Sequence, residues 1–288
     1  MNLPSVNVVV CVHNALDDVK ACLQSVENSQ FDQDRLTLTI VDDGSGPETA
    51  EYLQAFAARV PLAQVVRRET PGGYTVAANA GLAAQDSDLI ALLNSDTIAP
   101  PRWLEKITAR FAMAPDLGLV GPLSNAASWQ SVPERSSPEG GWAINALPRG
   151  MGVADVDAVV EEAAKAVPNL VRLPLLNGFC LTIKRAVVET IGPFDEAGFP
   201  RGFGEEDDFC LRATNAGFGV ALAHDTYVFH AKSKSYGSSR RERLTAEGQE
   251  ELRRKHGAAR LKRAVETMKM NPHLEAMREA VARGLRVR

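Results

Sequence analysis

Short β-branched runs alternate with segments of helical spacing through the N-terminal third of the chain, and this alternation constrains the fold more than any other feature. The runs cover residues 6–12, 36–41, 63–67 and 89–93. Between them, as in residues 17–27, apolar side chains recur at the spacing of an amphipathic helix. The alternation predicts an α/β fold, in which a mainly parallel, twisted sheet is flanked by helices.

Acidic and amide side chains stand where two of the predicted strands end. Asp42 and Asp43 follow the second run, and Asn94, Ser95 and Asp96 follow the fourth. Ligands of open α/β sheets bind outside the carboxyl ends of the parallel strands. We therefore expect both clusters to face the same crevice.

The rest of the chain has a less regular pattern. Residues 124–151 are rich in Ser, Gly, Pro and Trp. We interpret them either as a flap over the crevice, with Trp129 and Trp142 contacting a substrate, or as a plain surface excursion. The other predicted elements are helices at 155–167, 185–191 and 209–216, strands at 175–183 and 220–229, and further helix after 242.

The charge of the chain is unevenly distributed. The formal net charge is -4, which argues against nucleic acid as a partner. Residues 238–288, the C-terminal extension, hold 14 Lys and Arg against 7 Glu and no Asp, so they carry +7 and the residues before them carry -11. The extension has two interpretations: contact with an anionic membrane surface, or a solvated helical face packed on the acidic body.

Features of secretion and of cysteine chemistry are missing from the sequence. No run of about 18 uncharged apolar residues occurs, and the N-terminus lacks a basic start and a small-residue cleavage site. We therefore expect a cytoplasmic location. The four cysteines, Cys11, Cys22, Cys180 and Cys210, are too scattered for a zinc site and too few for a disulfide scaffold, so we expect buried thiols.

Each strand-end motif has a structural and a functional interpretation. Asp-Gly sequences form turns, which accounts for Asp42 and Asp43 without a ligand; alternatively, a carboxylate here accepts hydrogen bonds from a nucleobase imide or a ribose. Asn-Ser-Asp also caps helices well. Alternatively, Asp96 ligates Mg²⁺ or Mn²⁺, while Asn94 bonds a ribose or water.

A histidine follows the last predicted strand. A lone histidine such as His230 is more often a structural residue than a ligand. Here, however, Lys232, Lys234 and Ser235 follow closely, a cluster suited to diphosphate oxygens. An imidazole, the carboxylate of Asp96 and phosphate oxygens would make an octahedral set for Mn²⁺.

Four adjacent carboxylates, Glu205, Glu206, Asp207 and Asp208, precede the helix predicted at 209–216. Acidic residues suit the first turn of a helix. Four in a row nevertheless repel one another unless cations or raised pKa values relieve them, a condition that suits a general base. We predict Glu206 as the base and Asp208 as the helix cap, with Glu205 or Asp207 orienting a substrate. The choice of base between Glu206 and Asp207 stays open.

Taken in this order, the motifs resemble glycosyltransferase family 2, inverting enzymes with the GT-A fold, over roughly residues 5–237. The first strand of that family commonly has Pro and Tyr where this chain has Cys11 and His13, and the first Asp of its Asp-x-Asp motif is here Asn94. The matching segments are VVVCVHNA at 8–15, IVDDGS at 40–45, LLNSDT at 92–97, LNGFCLTIKRAVVETIGPFDE at 176–196 and GEEDDFCLRATNAGF at 204–218.

The resemblance implies transfer of a sugar from a nucleotide-diphosphate donor to a hydroxyl of a saccharide, lipid-linked or protein acceptor, with Mn²⁺ or Mg²⁺ as cofactor. It places Glu206 on the catalytic base and His230 on the metal-binding histidine. Bacterial members often build surface glycans, and a homodimer and peripheral membrane contact are further expectations. The predicted site comprises catalytic Glu206 and Asp207, metal ligands Asp96 and His230, and nucleotide-binding Val12, Asn14, Asp42, Asp43, Asn79, Asn94, Ser95, Lys232, Lys234 and Ser235.

We predict a GT-A domain at 1–237, with a nucleotide-sugar half at 1–121 and an acceptor half at 122–237, followed by the C-terminal extension. Two rival functions are a non-catalytic nucleotide- or sugar-binding module and a nucleotidyltransferase. The retained acidic residues argue against the first. The second would be expected to show a Gly-rich phosphate loop near the first strand, where this chain has HNALDD.

Overall fold

The computed structural model describes residues 3–232 and 238–287, with side chains described from 242 onward in the second range. Helices and strands alternate along most of this length. The strands are β1 (Val6–Val12), β2 (Leu36–Asp43), β3 (Ala63–Arg68), β4 (Leu89–Asn94), β5 (Thr97–Ile98), β6 (Leu117–Leu123), β7 (Val171–Arg172), β8 (Cys180–Lys184), β9 (Gly219–Tyr227) and β10 (Phe229–His230).

The α-helices lie between these strands and after them. They are α1 (Leu16–Glu27), α2 (Pro47–Arg59), α3 (Tyr74–Ala83), α4 (Trp103–Phe111), α5 (Val153–Ala163), α6 (Arg185–Ile191), α7 (Glu205–Asn215), α8 (Ser238–His256), α9 (Ala258–Lys269) and α10 (Pro272–Val287). No helix in the described ranges is both long and apolar enough to cross a membrane.

The described residues form one large sheet in the order β3-β2-β1-β4-β8-β6-β9-β7. Strands β1 to β4 are parallel to one another, and β6 is parallel to β9. Strand β8 runs antiparallel to both β4 and β6, and β7 runs antiparallel to β9. The predicted mainly parallel α/β sheet is therefore confirmed. The antiparallel strand β8 joins the first four strands to the parallel pair of β6 and β9, and β7 lies at the edge.

Alternation along each strand divides the core into two layers. Val9 and Leu92 point into one apolar cluster, together with residues of α3, α5 and α7. Val8 and Val10 point into the other, together with residues of α1, α2 and α4. Because neighbouring strand residues face opposite sides, the β-branched run of β1 is buried on both faces.

Several predicted elements need correction. The sequence pattern did not indicate α4 or β6. Helix α4 buries Lys106 and Arg110 on its inner face, which interrupts its apolar pattern. Strand β6 contains Gly and Pro. The strand predicted from residue 175 begins at Cys180. The helix predicted from residue 209 begins at Glu205, with Gly204 as its N-cap, so the prediction that Asp208 caps it is wrong.

The C-terminal extension packs on the body. Met268 of α9 and Met277 and Val281 of α10 are buried in the first apolar cluster, and α10 lies against α5. Arg278 of α10 is 7% exposed and donates hydrogen bonds to the carbonyl oxygens of residues 129 and 131. Of the two interpretations of the extension, the structure favours a helical face packed on the body.

Candidate active site

The ends of three neighbouring strands form one edge of the crevice. Strand β1 lies between β2 and β4, and its register pairs Val12 with Asp42 and Cys11 with Asn94. Parallel strands end on the same side of the sheet, which explains why motifs far apart in the chain meet here. Three predicted nucleotide-binding residues, Val12, Asp42 and Asn94, therefore stand at one edge.

The paired aspartates at the end of β2 are buried and fully engaged. Asp43 is 5% exposed and accepts hydrogen bonds from the amides of Gly72 and Gly73, each at 2.8 Å, and from Nε of Arg68 at 3.0 Å. Asp42 accepts from Arg67 and from the amide of residue 45. These bonds fix the turns after β2 and β3, and a nucleobase contact at either carboxylate stays a prediction.

Asn14 joins the turn after β1 to the turn after β2. Its backbone N–H donates to the hydroxyl of Ser45 at 2.9 Å, and its side-chain Oδ1 accepts from the backbone N–H of Gly46 at 2.8 Å. Asn79 lies elsewhere, on α3. Its side chain bonds the backbone of Phe194 in both directions and donates to Glu196. The structure thus places Asn14 beside the strand-end edge, whereas Asn79 holds the chain ahead of α7.

Asp96 and His230 come together although they are far apart in sequence. The short antiparallel pair of β5 and β10 matches Thr97 with His230, and Nε2 of His230 lies 3.2 Å from Oδ1 of Asp96. The imidazole is 5% exposed and stacks on the ring of Phe179, with centroids 5.5 Å apart. The predicted metal ligands are therefore direct neighbours.

In the neutral ring of His230, the nitrogen that faces Asp96, Nε2, carries no proton. Nδ1 lies 3.2 Å from the carbonyl oxygen of Ala126, which can only accept, so the proton sits on Nδ1. Nε2 then presents a lone pair to the Asp96 carboxylate. Two acceptors this close repel each other unless a proton or a cation lies between them, so the donor set fits a divalent ion.

The remaining ligands of such an ion would come from outside these side chains. Within the described residues, no group of three or more His, Cys, Asp or Glu side chains is placed to hold a metal. Mg²⁺ and Mn²⁺ commonly take few protein ligands and complete their shells with phosphate oxygens and water. Ser95 adjoins Asp96, and the amide of Ala231, the residue before Lys232, donates to the backbone oxygen of Asp96 at 2.9 Å. Predicted ligands Lys234 and Ser235 lie outside the described residues.

The carboxylate run forms the first turn of α7. Gly202, Phe203 and Gly204 all have positive φ angles of 85°, 67° and 131°, and this turn reverses the chain into the helix. Glycine adopts such angles at little cost, which explains two of the three positions. The four carboxylates then lie at the helix N-terminus, where the helix dipole favours negative charge.

Glu206 lies close to the segment whose Phe179 contacts His230. A Cβ added to Gly178 would lie 3.4 Å from the Cβ of Glu206. The next residue, Phe179, stacks on His230 and accepts a hydrogen bond from the amide of Asn94 at 2.9 Å. Oε2 of Glu206 is buried, without a hydrogen-bond partner in the described part of the chain. This carboxylate oxygen therefore makes no hydrogen bond that stabilises the fold.

Two carboxylates of the turn, Glu205 and Asp207, have raised pKa values. Burial, and next the charge of Glu206, raise the pKa of both well above their usual values. Tyr74 lies in the same surroundings: burial, and next the nearby Cys11, Glu205 and Glu206, raise its pKa well above the usual value. The surroundings therefore disfavour the ionised forms of Glu205 and Asp207.

Known proteins resemble this chain in sequence and in fold. Residues 7–130 match the family model described as glycosyl transferase family 2. Over this segment the chain is similar to that family. The segment contains β1 to β4, the Asp-Asp turn and Asp96, and the chain as a whole has the GT-A fold of the solved structures to which it is similar.

Similar proteins match the chain beyond the segment covered by the family model. The chain is 23% identical to glycosyltransferase AglE of Haloferax volcanii over 228 residues, which cover 79% of this chain and 67% of AglE. It is 24% identical to the pre-mycofactocin glycosyltransferase of Mycobacterium tuberculosis, covering 74% of this chain and 39% of that protein. An uncharacterised protein of Sinorhizobium fredii, y4gI, is 23% identical, and the match spans 25% of its length.

Two solved structures share the fold at low identity. A mannosyltransferase from Pyrobaculum calidifontis, in complex with GDP-Man and Mn²⁺, superposes with a TM-score of 0.59 at 14% identity, covering 100% of this chain and 87% of that one. GalNAc-T7 with UDP, GalNAc and Mn²⁺ superposes with a TM-score of 0.65 at 15% identity, covering 98% of this chain and 55% of that one.

The structure adds residues to the candidate site that the sequence did not indicate. Asn125 binds the backbone of His230 in both directions, at 3.0 and 2.7 Å. Phe179 stacks on the ring of His230, and Tyr74 lies near Glu205 and Glu206. The signal for Asn125 was hidden because it lies in the Ser- and Gly-rich segment interpreted as a flap or a surface excursion, of which residues 124–127 and 130–132 are in fact buried.

Two tryptophans follow Asn125 in the same segment of the chain. Trp129 and Trp142 contact each other edge to face, with ring centroids 4.9 Å apart, and the guanidinium of Arg135 lies over the Trp129 ring. Trp142 is 49% exposed and Ile144 is 66% exposed. The segment that bonds His230 through Asn125 therefore also exposes two large apolar side chains.

We expect Asp207→Asn to stabilise the protein at neutral pH. Because the folded pKa of Asp207 is raised, the native state keeps a proton that the unfolded chain loses near pH 4, so stability falls as pH rises from there. The neutral amide removes this penalty. Thermal unfolding should show nearly equal Tm values at pH 4 and a gain for the variant that widens toward pH 7, at about 2–4 °C per kcal/mol. A constant difference across pH would contradict the assignment.

Proposed function

We propose that the chain is an inverting glycosyltransferase that uses a divalent cation to transfer a sugar from a nucleoside-diphosphate sugar to a hydroxyl group. The observation that carries this proposal is the arrangement around residues 177–179. Phe179 of this segment stacks on His230, which pairs with Asp96. Its neighbour Gly178 is approached by Glu206, whose Oε2 is buried and unpaired in the described residues. A proposed leaving-group site and a proposed base thus adjoin the same short segment.

Glu206 is the proposed general base. Its free carboxylate takes the proton of the acceptor hydroxyl, and that oxygen forms a bond to the anomeric carbon. The bond between the anomeric carbon and the diphosphate oxygen breaks, and its electron pair leaves with the nucleoside diphosphate. Because attack and departure occur on opposite faces of the sugar, the anomeric configuration inverts.

Asp96 and His230 are the proposed holders of the cation. A bound Mn²⁺ or Mg²⁺ would supply positive charge that stabilises the departing diphosphate. Asn125 and Ala126 fix the ring of His230 for this purpose by hydrogen bonds to its backbone and to Nδ1. The two similar solved structures contain Mn²⁺ with nucleotide or nucleotide sugar, which supports this cofactor.

The donor base and ribose are proposed to lie at the ends of β1, β2 and β4. Val12, Asp42 and Asn94 stand side by side there, and the hydrogen bonds of Asp43 and Asn14 hold the surrounding turns. Buried, rigid turns suit a ligand that must be held in one orientation before reaction. Lys232, which follows His230 closely, is proposed to contact the diphosphate.

A saccharide, free or lipid-linked, is the proposed acceptor. Trp142 is exposed and contacts the half-buried Trp129, and this pair provides an aromatic surface on the segment that supports His230. Rigid aromatic side chains contribute contact area at a small entropic cost. Bacterial members of the family that the chain resembles often build surface glycans, which agrees with an acceptor of this kind.

The test is release of nucleoside diphosphate from a panel of nucleotide sugars, with Mn²⁺ or with EDTA, in the presence of saccharide acceptors. We expect release from one donor class that depends on the metal and increases with acceptor. The alternative function, a non-catalytic nucleotide- or sugar-binding module, predicts binding of a nucleotide without release from any donor. That result would overturn the proposed activity while leaving the fold unchanged.

A further inference from the structure

One face of α8 covers the turn from which the proposed catalytic helix begins. Gly248, Leu252, Lys255 and His256 recur at the spacing that places side chains on a single helix face. The contacts of α8 with α7 come from this face. The surface formed by these four residues is called the α8 clamp below.

The clamp approaches the turn more closely than a larger residue would allow. A Cβ on Gly248 would lie 1.8 Å from the carbonyl oxygen of Phe203, so only glycine permits this contact. A Cβ on Gly204 would lie 3.2 Å from Leu252, which is itself 5% exposed. Phe203 has a left-handed backbone, with φ at 67°, and such a conformation persists only where the surroundings hold it.

The clamp also closes around Asp208, a fully buried residue of the same first turn as Glu206. Asp208 accepts hydrogen bonds from Lys255 at 2.8 Å, from His256 at 2.8 Å and from Arg212 at 2.7 Å. Lys255 additionally binds Asp195 at 2.6 Å. Burial alone would raise the pKa of Asp208, but the bonds from Lys255, Arg212 and His256 outweigh it and lower the pKa.

We propose that the α8 clamp positions the catalytic carboxylate: it holds the 202–204 turn and Asp208, and thereby fixes Glu206 against Gly178. Lys255 and His256 are positioning residues, since they act on Glu206 only through Asp208. This inference rests on the proposed function, and it assigns to the C-terminal extension a part in turnover. A small displacement of a catalytic group lowers the rate strongly, so the clamp should affect kcat.

Gly248→Ala is the first variant that tests the clamp. Alanine favours a helix more than glycine does, so α8 itself gains stability, yet its methyl group collides with Phe203. We expect kcat to fall about 10- to 100-fold, while the donor KM stays within about twofold of wild type. The matched control is Gln249→Ala, an exposed neighbour on α8, which should retain wild-type kcat.

Lys255→Met is the second variant, and Lys255→Arg tests whether a side chain that keeps the positive charge restores activity. We expect Lys255→Met to lower kcat with little change in donor KM, and Lys255→Arg to recover most of the loss. Arg254→Met is the control, because Arg254 is exposed and pairs with Glu251 on the same helix. Unchanged kcat in both Lys255→Met and Gly248→Ala would overturn the proposal.

Hydrogen exchange separates failure of this inference from failure of the proposed function. In Gly248→Ala we expect faster amide exchange in residues 202–209 and unchanged exchange in β1 and β4, whether or not a donor has been identified. Faster exchange together with the loss of kcat supports the clamp. Unchanged exchange, or faster exchange with wild-type kcat, overturns it, whereas a wild type without turnover on any donor counts against the proposed function alone.

Discussion

Glu206→Gln is expected to lower kcat by about 10²- to 10⁴-fold, the contribution of a general base, and to leave donor binding within about twofold of wild type. Gln matches Glu in shape but cannot accept the proton of the acceptor hydroxyl. Since Glu206 approaches Gly178, whereas Asp96 pairs with His230, replacement of Glu206 should not disturb the nucleotide. Steady-state release of nucleoside diphosphate, with donor binding measured separately by calorimetry, gives both quantities.

Asp207→Asn is the matched control for this result. It neutralises the adjacent carboxyl, whose pKa is already raised by burial and by the charge of Glu206, so turnover should fall by much less. If Asp207→Asn abolished turnover and Glu206→Gln did not, the roles of the two residues would be exchanged. If neither variant lost activity, neither Glu206 nor Asp207 would be the base.

His230→Gln is expected to have the second large effect, on the metal requirement. The change removes the Nε2 lone pair that faces Asp96, and the Mn²⁺ concentration that gives half-maximal turnover should rise by more than about tenfold, a loss that second-shell changes alone can reach. Asn125→Ala, which leaves the imidazole but removes its backbone support, should give a smaller rise. Titration of turnover with Mn²⁺ measures both.

His273→Gln serves as the control for the loss of a histidine, because His273 lies at the start of α10 outside the proposed site. Its Mn²⁺ requirement should equal that of the wild type. A His230→Gln variant that is folded and has an unchanged Mn²⁺ requirement would contradict metal ligation by this residue. Loss of activity that no Mn²⁺ concentration restores, with donor affinity intact, would assign His230 to another step.

The first four strands and three helices could be predicted from the sequence, because their signals are local. Strand β1 is a continuous β-branched run, and each strand of this group ends at polar residues that break the apolar pattern. The second half of the sheet gives weaker signals. Strand β6 carries Gly and Pro, and α4 buries Lys106 against Asp157 at 2.6 Å, so charged residues occupy positions that a periodicity argument reserves for apolar ones.

The start of α7 shows a further limit of local patterns. The four carboxylates in a row were predicted to precede the helix, but positive φ angles at Gly202, Phe203 and Gly204 allow the helix to begin at Glu205. Hydrogen bonds from Lys255 and His256 stabilise the buried carboxylate of Asp208 inside the helix. Such long-range compensation leaves no trace in the local sequence.

The site itself was predicted in part. Strand order places Asp42 and Asn94 at one edge, and this follows from the parallel α/β pattern alone. The meeting of Asp96 with His230 depends on the short pairing of β5 with β10, two residues long in each strand. Local patterns did not indicate this pairing; ligand chemistry and the resemblance to a known family suggested that the two residues meet. The support from Asn125 and Phe179 could not be predicted, because it depends on side-chain packing across the crevice.

The central claim, a metal-dependent nucleotide-diphosphate site between the strand ends and His230, is tested most directly by thermal unfolding. Wild type and Asp96→Asn would be measured with UDP, GDP, dTDP and CDP, each with and without Mn²⁺. We predict that one nucleotide, at about 100 times its Kd, raises the wild-type Tm by about 5 °C only when Mn²⁺ is present, and that the variant loses this shift. A shift that needs no metal, an equal shift in Asp96→Asn, or no shift with any nucleotide would contradict the claim.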